Sequence, residues 1–74
     1  MPGELARHLA AVVLELADER GLSVNAVCKA AGLPQSTTSR RLRGLAALDA
    51  DDVEGLARAL GMTGAELVDL AERR

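Results

Sequence analysis

One local pattern occurs three times in this 74-residue chain. Ser23, Asp49 and Thr63 are each good helix N-caps, because a short side-chain oxygen can accept an N–H that the first helical turn leaves unpaired. Each has an apolar residue just before it and another four positions after it: Leu22 with Val27, Leu48 with Val53, Met62 with Leu67. Such a pair is a hydrophobic staple, which fixes the angle at which the chain runs into a helix. Thr63 with Glu66 forms a full capping box, and Asp49 with Asp52 an acidic relative of one. A chain punctuated in this way folds as several short helices joined by tight turns. Composition agrees: the sequence has fourteen Ala and thirteen Leu but no Phe, Tyr, Trp or Ile. Strands favour aromatic and β-branched residues, so this is the palette of a helical bundle.

The pattern predicts five helices in one small all-α domain over residues 1–74. Helix 1 is expected from Glu4 to Arg20, with Leu5, Leu9, Val12 and Leu16 as its buried stripe and Leu14 on the far side. Gly21 follows as a left-handed stop. Helix 2 is expected over Val24–Ala31, helix 3 from Gln35 to Arg43, helix 4 over Ala50–Leu60 and helix 5 over Gly64–Glu72. Gly32-Leu33-Pro34 is a three-residue break between helices 2 and 3. Gly44 can end helix 3, and Leu45 to Leu48 forms an apolar connection expected to pack.

The formal net charge is −2 and the sequence pI is about 5.2, which taken alone speaks against a nucleic-acid partner. The distribution says otherwise. Residues 1–19 carry −3, residues 20–48 carry +5 with no acid at all, and residues 49–74 carry −4. The basic window holds Arg20, Lys29, Arg40, Arg41 and Arg43, and it coincides with helices 2 and 3. On a helical wheel Gln35, Ser36, Ser39, Arg40 and Arg43 share one arc, while Thr38 and Leu42 turn toward the core. The major groove calls for such a face: Gln can bond bidentately to adenine and Arg to guanine, and Ser hydroxyls suit phosphates or base edges. With no aromatic residue, single-strand binding on stacking platforms is excluded.

Gly32 to Gly44, reading GLPQSTTSRRLRG, resembles the turn and recognition helix of the lambda-repressor-like helix-turn-helix superfamily. Ala31-Gly32-Leu33, Ser36-Thr37, Ser39-Arg40 and Leu42 are also similar to lac-repressor-type recognition helices. Leu22-Ser23 with Val27-Cys28 resembles the family's helix 2. Leu56 to Thr63 resembles the Leu-Ala-x-x-Leu-Gly stretch of the xenobiotic-response-element type. The resemblance implies a five-helix bundle whose helix-turn-helix spans about residues 23–44. It implies a sequence-specific regulator of double-stranded DNA, a Cro-like or immunity-type repressor, bacterial or phage-encoded and working in the cytoplasm or nucleoid. Carried over by position, base contacts fall on Gln35, Ser36 and Arg40, and phosphate contacts on Ser23, Asn25, Thr37, Ser39 and Arg43. Val24 stands where the family carries a polar phosphate anchor, which leaves that role to Ser23 or Asn25. Pro34 stands at a turn position usually held by Ser or Gly and cannot donate an N–H. Thr38 replaces an aliphatic residue and can bond a carbonyl one turn back. Arg41 replaces an apolar one and is expected to run along the helix edge to phosphate with its stem packed.

A module of this size reads only a few base pairs, so a homodimer on a pseudo-palindromic operator is expected, with Ala10, Leu14 and Val68 as the dimer surface. The competing reading is a protein-interaction module, antirepressor or antitoxin-like, that keeps the fold without binding DNA. Other sites read as structural. His8 is a surface or half-buried residue with no ligand role, and Cys28 is an inert buried thiol suited to a reducing cytoplasm. Asp49, Asp51, Asp52 and Glu54 favour a helix start. No nucleophile–base pair, metal-ligand set or phosphate-cradling loop is present, so the chain is read as neither enzyme nor metalloprotein, with no cofactor and no small-molecule ligand. Leu9 to Leu14 is too short to span a bilayer and lacks the basic flank of a secretion signal.

Overall fold

The computed structural model describes residues 3–44 and 47–73. Five helices run in the order α1 (Glu4–Glu19), α2 (Val24–Ala31), α3 (Gln35–Leu42), α4 (Ala50–Ala59) and α5 (Gly64–Glu72), with no strand among the described residues. The bounds of α2 and α5 are those expected, and α1, α3 and α4 each stop one residue short. The expected packing of Leu45 and Ala46 lies outside the described residues.

Three helix ends share one construction. After α1, the Gly21 N–H bonds the Asp18 carbonyl and the Leu22 N–H bonds that of Ala17. After α2, Gly32 bonds Lys29 and Leu33 bonds Cys28; after α4, Gly61 bonds Arg58 and Met62 bonds Ala57. This crossed pair of bonds satisfies carbonyls that a helix end leaves open, and it brings the residue after the glycine back against the helix. Leu22, Leu33 and Met62 occupy that position, and all three pack against the core. Leu22 and Met62 are also the outer members of the next helix's staple. The same apolar side chain therefore closes one helix and opens another, so these turns need only a glycine, an apolar residue and a cap.

The helix starts follow the expected chemistry. Ser23 Oγ accepts the Ala26 N–H at 3.1 Å. Asp49 and Asp52 bond each other's backbone N–H groups in a complete capping box, as do Thr63 and Glu66. Two helices start without a side-chain cap: α1, whose N-cap is Gly3, and α3, whose N-cap is Pro34.

The core is aliphatic: Val13, Val27, Leu56 and Leu67 are fully enclosed, with Leu9, Val12, Leu42 and Leu60 around them. The buried face of α1 differs from the expected stripe. Leu9 and Val12 are buried, but so are Ala10, Val13 and Ala17, while Leu16 is half-buried and Leu5 is 43% exposed. The cause is that α1 packs against α5, α3 and α2 at once. Its contact face is therefore wider than one stripe and turned toward the small residues Ala10 and Ala17, which let neighbouring helices approach. Leu5 lies in the first turn, where that packing ends. Leu14, expected on the far side, packs against the core.

Candidate nucleic-acid interface

The break between α2 and α3 is built from Gly32, Leu33 and Pro34. Gly32 adopts φ 70° and ψ 28°, the left-handed region, so the chain reverses at once after Ala31. Pro34 at φ −61° and ψ 123° leads directly into α3. Helices α2 and α3 pack on each other, and α3 also packs on α1.

Helix α3 is divided as the wheel predicts. Thr38 and Leu42 are buried, while Gln35, Ser36, Thr37, Arg40 and Arg43 are exposed and Ser39 is half-buried. On α2, Asn25 and Lys29 are exposed, and Ser23 is exposed with its hydroxyl engaged as the N-cap. Among the described residues, Arg40, Arg43 and Lys29 have no ion-pair partner, so their charges face solvent uncompensated. Arg40 lies in the last turn of α3, where a cation also offsets the negative end of the helix dipole.

Arg41 departs from the expectation. Its guanidinium is turned away from the outer edge of α3 and donates to the carboxylates of Asp52 and Asp49, the latter at 3.5 Å. Asp52 is 3% exposed and holds the Asp49 N–H at 3.1 Å in the α4 capping box. An Arg at an inner helix position needs an inward carboxylate, and the first turn of α4 supplies one. The two Asp residues are legible in the sequence as a cap; that the cap also receives a cation from α3 depends on how the helices meet.

Thr38 also differs. Its Oγ1 is buried without a hydrogen-bond partner, and the Pro34 carbonyl accepts the Thr38 N–H at 3.0 Å instead. Cys28 is fully buried as expected, and its thiol is pushed above the ordinary value by burial and then by the negative charge of Asp52. Ala10, expected on a dimer surface, is 4% exposed and belongs to the core. It sits on the side of α1 that other helices cover. Leu14 and Val68 are half-buried and keep some open surface.

A comparison with protein families matches residues 4–70 to a helix-turn-helix domain family. The chain belongs to that family. No match to a curated protein or to a solved structure was found. The match takes in all of α1 to α4 and most of α5, so it covers α2 and α3 together with the helices packed on them. Membership supports a DNA-binding role for the chain. Among the described residues no helix is long and apolar enough to cross a membrane. Among the described residues no group of three or more His, Cys, Asp or Glu is arranged to hold a metal ion.

Proposed function

We propose that the chain is a sequence-specific double-stranded DNA-binding transcriptional regulator of the Cro-like or immunity-repressor kind, acting in the bacterial cytoplasm or nucleoid. The observation that carries this reading is the outer face of α3. Gln35, Ser36, Arg40 and Arg43 project together from a helix-turn-helix, and both Arg charges are uncompensated within the described chain. Helix α3 enters the major groove with its N-terminal turn at the base edges, and α2 crosses the backbone. Gln35, Ser36 and Arg40 read bases. Ser23, Asn25, Thr37, Ser39 and Arg43 meet phosphates. The acid-rich flanks repel the duplex and so orient the basic face toward it. Two copies bind a pseudo-palindrome with half-sites roughly 34 Å apart, one turn of DNA. Leu14 and Val68 lie at the dimer surface.

Binding to a random-sequence duplex, followed by anisotropy between ~50 and ~200 mM salt, tests the reading, because phosphate contacts make log K fall linearly with log salt. Arg43→Ala is expected to weaken all sequences alike and reduce the slope by about 1. Gln35→Ala is expected to relax selectivity at a single position of the motif selected from a duplex library. Absence of binding at the lowest salt would favour the protein-interaction module instead.

A further inference from the structure

Helix α3 is short and mostly polar. It has eight residues, of which Thr38 and Leu42 are buried, and Thr38 brings an unpartnered hydroxyl with it. Its first turn has no side-chain cap and no acid. It packs on α2 and α1, while α4 packs on α2 and α5. Arg41 adds a direct side-chain tie between α3 and α4, since it reaches from the last turn of α3 to Asp49, the N-cap of α4, and to Asp52 in its first turn. Asp52 is almost wholly shielded from water and Arg41 is 27% exposed at its side chain, so the pair is far less screened than a surface bridge. The planar guanidinium suits such a pair, having several donors in fixed directions. Asp52 is itself fixed by the capping box, so it offers a rigid anchor.

We infer that Arg41 is a positioning residue of the recognition helix. It binds no phosphate; clasped by Asp52 and Asp49, it sets the tilt at which α3 presents Gln35, Ser36 and Arg40. The inference rests on the DNA-binding reading and adds a role for two acidic residues that repel DNA. This gives it a sign of its own. By charge alone, Asp52→Asn removes a repulsion and strengthens binding. If Asp52 holds Arg41 in place, the same change weakens it.

The test measures duplex affinity and its salt slope for the full chain, wild type, Asp52→Asn and Arg41→Met. Far-UV circular dichroism establishes that each is folded at the assay temperature. Arg41→Met keeps an apolar stem and leaves the capping box intact, so it decides the matter if Asp52→Asn does not fold. Both variants are expected to bind roughly 3- to 10-fold more weakly than wild type, with the salt slope unchanged. A role confined to stability would leave the affinity of the folded variants at the wild-type value. Equal or tighter binding by Asp52→Asn, or a slope reduced by about 1 in Arg41→Met, overturns the inference while the DNA reading stands. A wild-type chain with no salt-dependent duplex binding overturns both.

Discussion

Gly55 on α4 faces the carbonyl of Ala31 at the end of α2 so closely that a Cβ at position 55 would lie 3.2 Å from that oxygen. The same Cβ would meet Leu33 Cδ1 at 3.5 Å and Ala31 Cβ at 3.6 Å. Glycine in mid-helix forgoes about 1 kcal/mol of helix propensity relative to Ala. Here it allows α4 to seat against the turn that launches α3. Gly55→Val is therefore expected to destabilise the fold by about 1–3 kcal/mol through overpacking. Thermal melts check this, and a midpoint at or above wild type would contradict the close approach.

Thr38→Val should raise stability. The hydroxyl of Thr38 is buried with no partner, and an unsatisfied buried polar group costs about 1–3 kcal/mol, whereas an apolar group of the same shape avoids that cost. The expected gain is about 1 kcal/mol, read as a higher midpoint in urea with unchanged slope. A lower midpoint would mean that the hydroxyl is hydrogen-bonded in solution.

Gly32 tests the turn by conformation alone. A Cβ there would meet nothing within 4 Å, yet the backbone sits at φ +70°. Gly32→Ala is expected to cost about 1–2 kcal/mol, the price of the left-handed region for an L-residue. Gly32→Asn should cost less, because Asn tolerates that region. Equal losses for the two would indicate a steric cause.

Cys28 makes stability fall at high pH. Burial, then Asp52, raise its folded pKa above the ordinary 9.0. In the unfolded chain the thiol ionises at the ordinary value, while in the folded chain it stays neutral longer. Its contribution is therefore complete below the unfolded pKa and is lost as pH rises toward the folded one. Urea midpoints measured from neutral to alkaline pH should decline above about pH 9 in wild type. They should decline less steeply in Cys28→Ala, whatever that variant loses by its cavity. Parallel declines would remove Cys28 as the cause.

Helix starts and stops were legible because they are local. Ser23, Asp49 and Thr63 accept N–H groups three residues ahead, and Gly21, Gly32 and Gly61 permit a backbone turn that no distant residue has to support. The outer face of α3 was legible for a related reason. Helical periodicity separates Thr38 and Leu42 from Gln35, Ser36, Arg40 and Arg43 without reference to what they pack against. The buried face of α1 was not, since it depends on how many neighbours share the helix, and three do.

The sequence by itself determined where each helix begins, which short turn joins α2 to α3, and that the positive charge gathers on those two helices. These follow from hydrogen-bonding capacity, backbone preference and charge along the chain, all of which act over a few residues. Only the tertiary structure decided that Arg41 turns to Asp52, that Gly55 fits under Ala31, and that Ala10 is enclosed. Each of these depends on the distance between helices. That distance is settled by packing the whole core at once, and no local pattern encodes it.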